Sequence, residues 1–340
     1  MKQKIKNLLN VWVVTVNYKT AELLTNSLSS ITSPSCEAVE LSYVAVDNAS
    51  QDGSVATISS YIKNSGYSNW ASVIASDKNG GFSYGNNIGI SKALSSEYPP
   101  DYVLLLNPDT LVKPNAINAL ADFLDKNSTV GIVGSQIENA LGLPEHSAHR
   151  FPSLTSAFLE GASIGFLDKL FSRHITTMPL SRVPHQADWV SGSSMMVRRE
   201  VFEQIGLLDD GFFLYFEEVD FFFRAKQAGW QTWYVPDSKI MHIEGASTGI
   251  KSNKRRPSYW YESRRRFYVK NYGILYLLLT DVLWLIGRLS FKLRCLLGLG
   301  KSKAEDPKWL VTDLLLGDIK SIFAGELFRI KQEKARFERK

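Results

Sequence analysis

The sequence predicts an α/β protein, a mostly parallel, doubly wound sheet followed by a helical C-terminal extension. Three observations predict it. Short apolar, β-branched runs alternate with segments of helical spacing over the first hundred residues. Amides, acids and glycines stand directly after each run, where sheets of this kind bind ligands. Beyond Pro257 the composition turns basic and leucine-rich.

The elements follow in chain order. Residues 11–16, 41–46, 71–75 and 102–106 are the four early runs. Between them, residues 20–31 and 54–62 carry apolar side chains at helical spacing, and 86–94 follows a glycine cluster. Asn17-Tyr18, Asp47-Asn48, the stretch from Asp77 to Gly81, and Asn107-Pro108-Asp109 close the four runs in turn. Residues 131–137 and 189–197 read as further strands. Residues 199–205 read as a short helix closed by Gly206. Residues 217–228 read as a helix ended by Gly229, leading into a strand at 230–235. Arg264-Arg265-Arg266 precedes residues 274–299, rich in Leu, Ile and Trp but interrupted by Asp281 and followed by Arg288, Lys292 and Arg294. A spanning helix needs roughly 20 predominantly apolar residues. This segment is too broken for that, which leaves an interfacial amphipathic helix or a buried helical cap. The expected division is a catalytic domain over 1–255 and a basic helical extension over 256–340.

Composition narrows the class. Of 340 residues, 44% are hydrophobic and 21% charged, enough to bury a sizeable core. The two cysteines, Cys36 and Cys295, form no disulfide framework or metal-ligand spacing. Residues 1–10 lack the apolar stretch and small-residue cleavage site of a signal peptide, so a cytoplasmic protein is expected. The net charge of +5 conceals an asymmetry. Residues 1–250 hold 18 Lys/Arg against 25 Asp/Glu, and residues 251–340 hold 21 against 9. An acidic body suits a metal site, and a basic tail suits an anionic surface, phospholipid or nucleic acid. No recognisable nucleic-acid motif accompanies the tail, so nucleic acid is not an expected partner.

Four groups of residues carry chemistry. Asp109, just past a buried strand, can hold a hard divalent cation such as Mg²⁺ or Mn²⁺ through its carboxylate oxygens. Such a cation would neutralise a diphosphate leaving group. Asn-Pro-Asp-Thr is equally good turn material. In Phe216-Glu217-Glu218-Val219-Asp220, helical spacing places Glu217, Asp220 and Arg224 on one face as an ion-pair stripe. Glu218 is turned about 100° away and is left for a reacting hydroxyl. Aromatic neighbours would raise its pKa toward that of a useful base. His242 is a possible third metal-site group, although a lone His is more often structural. Residues 78–87, Lys-Asn-Gly-Gly-Phe-Ser-Tyr-Gly-Asn-Asn, let backbone approach a ligand closely. Their spacing is not that of a dinucleotide-binding or phosphate-loop glycine motif.

Taken in order from Val11 to about Thr248, these segments resemble the inverting family 2 glycosyltransferases of the GT-A fold, a Rossmann-like sheet. The likeness extends to bacterial rhamnosyltransferases of surface polysaccharide assembly. The resemblance implies a role for each position. Thr15, Asn17, Tyr18 and Asp47 would line the nucleoside pocket, with Asn79 and Gly81 beside them. Asn107 and Asp109 occupy the family's Asp-x-Asp metal position, with Asp109 the direct ligand and His242 completing the shell. Glu218 falls where the family places its base, usually an Asp, with Glu217 the alternative. Trp189 and Gly192 would border the sugar and acceptor. The implied donor is dTDP-L-rhamnose, or a UDP-sugar such as UDP-galactose. The implied acceptor is a glycan or polyprenyl-diphosphate-linked glycan at the inner face of the membrane. Two rival readings are a silent sugar-nucleotide-binding subunit and a nucleotidyltransferase. The latter would usually carry a glycine-rich basic loop where this chain has Asn17-Tyr18-Lys19-Thr20.

Overall fold

The computed structural model describes residues 8–31, 39–243, 255–299 and 306–337. Cys36 and residues 244–248, the end of the stretch that carries the resemblance, lie outside them. The chain divides into two compact units. The first takes residues 1–149, 178–213 and 221–248; the second takes 150–177, 214–220 and 249–340.

The elements run β1 Leu9–Asn17, α1 Ala21–Ile31, β2 Val39–Asp47, α2 Ser54–Asn64, β3 Ala71–Ala75, α3 Gly81–Leu94 and β4 Tyr102–Leu106. Then come β5 Thr110–Val112, α4 Ala116–Lys126, β6 Val130–Glu138, β7 Pro144–Glu145, β8 Ala148–His149, α5 Leu154–Ala162 and α6 Gly165–Leu170. They continue with β9 His185–Ala187, β10 Trp189–Val190, β11 Ser194–Arg198, α7 Arg199–Ile205, α8 Glu217–Gln227 and β12 Gln231–His242. Helices α9 Ser258–Asn271, α10 Ile274–Leu296, α11 Leu310–Phe323 and α12 Glu326–Phe337 close the chain.

In the first unit the main sheet has the order β3-β2-β1-β4-β11-β6-β12-β5. Its β3-β2-β1-β4 half is parallel, and β11 runs antiparallel between β4 and β6. The apolar run of β4 is continuous because that strand is buried along its whole length, whereas β3 at the edge of the sheet is only partly covered. One face of β1, Val11 and Val13, joins Leu24, Leu28, Ile58 and Leu120 in the main core. The other face meets α3. There, Gly85 and Gly89 lie so close that a Cβ would stand 2.7 Å from Val16 Cγ1 and 2.3 Å from Val14 Cγ1. Helix α3 therefore begins at Gly81, not at Asn86 as its sequence suggests. Fit to β1 overrides the low helix propensity of glycine.

Two strand expectations change. Residues 189–197 are two strands, not one: β10 pairs with β8, and β11 pairs with β4 and β6. The turn between them is closed by Ser191 and Ser193, whose hydroxyls are 2.9 Å apart. The strand expected at 230–235 continues to His242, its register shifting between Val235 and Lys239 around Pro236. That bulge is how a proline fits inside the strand.

The second unit is built on α5, α9 and α10. Helices α5 and α10 cross with backbones almost touching: a Cβ at Gly161 would lie 2.3 Å from Trp284 O, and one at Gly287 would lie 2.5 Å from Phe158 O. The arginine run at 264–266 is largely internal. Arg264 reaches Asp281 at 2.6 Å and Asp318 at 3.5 Å, Arg265 reaches Asp318 at 3.1 Å, and Arg266 reaches Glu333 at 2.8 Å. The basic character read in the tail is therefore partly internal, because acids distant in sequence fold back onto 264–266.

Candidate active site

The C-terminal ends of β1 and β2 lie side by side, Asn17 paired with Asp47. Asn17, fully buried, donates its Nδ2 to Asp47 Oδ1 at 2.6 Å. Ser50 donates its hydroxyl to the same oxygen at 2.6 Å and its backbone N–H to Asp47 Oδ2 at 3.0 Å. An ionised carboxyl offers about four acceptor positions. Three are taken by these donors, leaving Oδ2 able to accept one more. Three non-glycine residues of this rim, Lys19, Ala49 and Gln51, have positive φ of 57°, 56° and 54°. Such clustered strain persists where surrounding structure enforces it, often at binding sites.

Asn48 links this pocket to α3. Its Nδ2 donates to Asn79 Oδ1 and to Gly81 O, both at 2.9 Å. Its Oδ1 is buried without a hydrogen-bond partner. Gly81 (φ +86°) could carry no side chain, since a Cβ would sit 2.0 Å from Phe213 O. Tyr18 is exposed, with Lys19 Nζ 5.3 Å from its ring centroid. Thr15 is fully buried beside the Tyr43 hydroxyl, on the β1 face that also carries Val11 and Val13. It braces the strand beneath the pocket.

Asp109 lies in the turn between β4 and β5 and is 3% exposed. Its Oδ1 is 3.1 Å from His242 Nε2. His242 is carried there by β12, pairing with Thr110 of β5, and Ile243 N donates to Asp109 O at 3.0 Å. The turn reading of Asn107-Pro108-Asp109 is realised in the backbone, and the Asp109 side chain also meets a residue of a distant strand. Thr110 Oγ1 donates to Asn107 O at 2.7 Å, while the Asp109 carboxylate meets an imidazole from a strand 130 residues on. Among the described residues no group of three or more His, Cys, Asp and Glu gathers as a metal cluster. One carboxylate and one imidazole suit a hard cation that draws its remaining ligands from a diphosphate and water. Asn107 is half-buried, its backbone N–H donating to Ser193 O at 3.0 Å next to Gly192. Trp189 stacks on His149 with ring centroids 4.1 Å apart. Burial, then the neighbouring His146, depresses the His149 pKa to about 4, so the imidazole is neutral at pH 7.

Glu217 and Glu218 belong to the second unit and open α8. Two residues of positive φ, Tyr215 (69°) and Phe216 (65°), turn the chain into that helix. The Phe216 ring lies 5.9 Å from Trp260 and 5.7 Å from Phe267, which dries the segment. The two carboxyls hydrogen-bond to each other. Glu218 is thus engaged by Glu217, not turned away from it as helical spacing suggested. Burial raises both pKa values, and the charge of Glu218 raises Glu217 further. Of the two, Glu217 is pushed further above the ordinary carboxylate range, by burial first and then by Glu218. Asp220 accepts from Lys270 Nζ at 2.7 Å and Asn271 Nδ2 at 2.9 Å. Arg224 donates to the carbonyls of Ile205 and Leu207. Local spacing gave no signal for Lys270, fifty residues away in sequence.

Comparison with known proteins supplies the context. The family described as "Glycosyltransferase like family 2" matches residues 10–263. An N-acetylglucosaminyl-diphospho-decaprenol L-rhamnosyltransferase of Mycobacterium tuberculosis is 33% identical over 44% of this chain and 49% of its own length. A low-salt glycan biosynthesis hexosyltransferase of Haloferax volcanii is 31% identical over 63% of this chain and 61% of its own. A rhamnosyltransferase of Escherichia coli is 29% identical over 48% and 60%. The chain thus spans about half the length of the curated relatives it matches. Among solved structures, GalNAc-T7 with UDP, GalNAc and Mn²⁺ aligns with a TM-score of 0.57 at 18% identity, over 93% of this chain and 59% of the other. A mannosyltransferase from Pyrobaculum calidifontis with GDP-Man and Mn²⁺ aligns at 0.52 and 14%, over 96% and 84%. The fold is GT-A, a mostly parallel mixed sheet with a C-terminal helical region.

Proposed function

The chain belongs to glycosyltransferase family 2, and on that premise we propose that it is an inverting glycosyltransferase of cell-surface polysaccharide assembly. Its donor is dTDP-L-rhamnose, a reading supported by the rhamnosyltransferases among its relatives. A UDP-sugar such as UDP-galactose is the second reading, since one relative is a hexosyltransferase whose name does not specify rhamnose. The acceptor is a glycan on a polyprenyl diphosphate, by likeness to the mycobacterial relative, and the enzyme works peripherally at the cytoplasmic face of the membrane.

The observation that carries the reaction is the buried pair Glu217–Glu218. A sugar hydroxyl is a poor nucleophile until a base takes its proton, and a base works best with a pKa near the working pH. Glu218, raised by burial, takes the proton as the acceptor oxygen bonds to the anomeric carbon. The bond from that carbon to the diphosphate oxygen breaks on the opposite face, and the nucleoside diphosphate leaves with inversion. The protonated Glu217 holds the Glu218 carboxylate in place throughout. Asp47, with its remaining acceptor position, takes an imide N–H of the pyrimidine, and Asn17 and Ser50 orient it. Tyr18, Asn79 and Gly81 bound the nucleoside, Asn107 contributes a polar contact, and Trp189 and Gly192 border the sugars. Asp109 and His242 would hold Mg²⁺ or Mn²⁺, which when bound supplies countercharge for the departing diphosphate.

A screen of nucleotide-sugars for nucleoside diphosphate release, with acceptor and with Mn²⁺ or Mg²⁺, tests this reading. Release of dTDP from dTDP-rhamnose, abolished by chelator, is the expected result. Turnover that survives chelator removes the role given to Asp109 and His242. Pyrophosphate in place of nucleoside diphosphate would make the enzyme a nucleotidyltransferase.

A further inference from the structure

Helix α10 wears its polarity inside out. Its inward side buries one leucine, Leu277, beside Thr280, Asp281 and Gly287, with Asp281 accepting from Arg264 at 2.6 Å. Its outward side carries Leu275, Leu279, Val282, Ile286, Leu289 and Leu293, each between 43% and 71% exposed. These positions recur at three, four and seven residues, one stripe about 27 Å long at 1.5 Å per residue. Helix α11 repeats the pattern: Asp318 and Ser321 are buried beside one leucine, Leu314, whereas Leu316, Ile319 and Phe323 are 47–88% exposed. A water-facing helix would present the opposite arrangement, and exposed apolar surface on this scale marks an interaction site.

We propose that these outward faces seat the second unit in the plane of an anionic lipid bilayer, at the boundary between headgroups and acyl chains. Three observations select lipid and in-plane seating. The exposed charged residues of α10 and α11 are Lys292 and Lys320. Their three carboxylates are occupied, Asp281 and Asp318 buried on arginines and Asp313 held by Arg255. An apolar stripe with cations and no free anion complements anionic headgroups. It does not complement a second copy of itself, which would bring lysines against the same cation-only surface. Although α10 is, among the described residues, the one helix long and apolar enough to cross a membrane, crossing would carry Asp281 and Arg288 into hydrocarbon. It would also strand Arg264 and break the backbone contact of Gly161 and Gly287. The helix lies on the bilayer.

This inference deepens the lipid-linked acceptor of the proposed reaction, but its test needs neither donor nor acceptor. The full chain is floated with vesicles of phosphatidylcholine alone and of phosphatidylcholine with phosphatidylglycerol at about 3:1. It is expected to float with the anionic vesicles and to be released by alkaline carbonate. Joint substitution Ile286→Glu and Leu289→Glu should lower the bound fraction at least about ten-fold with unchanged circular dichroism. Joint substitution Lys292→Ser and Lys320→Ser should weaken binding to the anionic vesicles only. Three results overturn the proposal: no flotation with either vesicle, retention after carbonate, or a dimer in solution that Ile286→Glu dissociates. Nucleoside diphosphate release measured without vesicles should be untouched by these substitutions. A chain that turns over but does not float refutes the surface alone, and one that floats but does not turn over refutes the reaction alone.

Discussion

At the scale of single residues, Glu217 and Glu218 have the same chemistry in unequal surroundings. Burial raises both, and Glu217 also feels the charge of Glu218. Because Glu218 must be ionised to act, kcat should fall with decreasing pH at a pH above the ordinary glutamate value of about 4.3. Glu218→Gln should lower kcat by about 10²–10⁴-fold with little change in the donor KM. Glu217→Gln keeps an N–H to donate to Glu218 and should cost far less. If it costs more, Glu217 is the base. The stability consequence has a definite sign. Carboxyls with raised folded-state pKa favour the fold at pH below the ordinary glutamate range and lose that contribution as pH rises through the raised values. Glu217→Gln should therefore raise Tm more at pH 8 than at pH 5. His149 works in the other direction. Its pKa, depressed to about 4, stabilises the fold fully above about 6.5 and progressively less as pH falls toward 4. Unfolding free energies from urea at pH 7.5 and 5 should differ by roughly 1–2 kcal/mol from this group, and His149→Gln should shrink that difference.

At the scale of elements, α3 shows what pattern reading finds and what it misses. The four parallel strands were legible because each is a short run rich in apolar and β-branched residues, continuous in the fully buried β4. The start of α3 was not, because Gly81, Gly85 and Gly89 look like loop; the surface of β1 explains Gly85 and Gly89, and the Phe213 carbonyl explains Gly81. Their four-residue spacing is the packing face of the helix. The split of residues 189–197 escaped for a similar reason: the pairing partner of Trp189-Val190 is β8, which no local signal announces. The glycine stripe makes a quantitative prediction. Gly89→Ala would press a methyl against Val14 and Gly85→Ala one against Val16, each costing about 1–3 kcal/mol by overpacking. Adding Val14→Ala to Gly89→Ala should restore part of the loss in urea midpoint, since it removes the atom struck. No side-chain deletion should rescue Gly81→Ala, where the obstacle is the carbonyl of Phe213 and φ is +86°.

At the scale of the whole molecule, the site was legible in proportion to its attachment to strand ends. Asn17, Asp47 and Asp109 could be placed because each follows a recognisable strand, and His242 because it ends one. The partners of α8 could not, because Lys270 and Asp220 meet only through tertiary folding. The charge asymmetry carries the same lesson. Residues 251–340 hold 21 basic and 9 acidic residues, which reads as a cationic tail. Yet Arg255, Arg264, Arg265, Arg266, Lys270 and Arg288 all sit on carboxylates. The outward faces of α10 and α11 are left apolar with two lysines. Attraction to an anionic membrane should then be a minor electrostatic term on a larger hydrophobic one. Each lysine near such a surface contributes about 1 kcal/mol. Raising salt from about 0.05 to 0.5 M, which shortens the Debye length to a few ångströms, should weaken vesicle binding by no more than about thirty-fold. Binding measured by sedimentation across that range should level off at a salt-independent floor, and the Ile286→Glu, Leu289→Glu chain should lose that floor. A fall of more than about a thousand-fold without a floor, the response of many released counterions, would instead make the uncommitted cations of the tail the principal anchor.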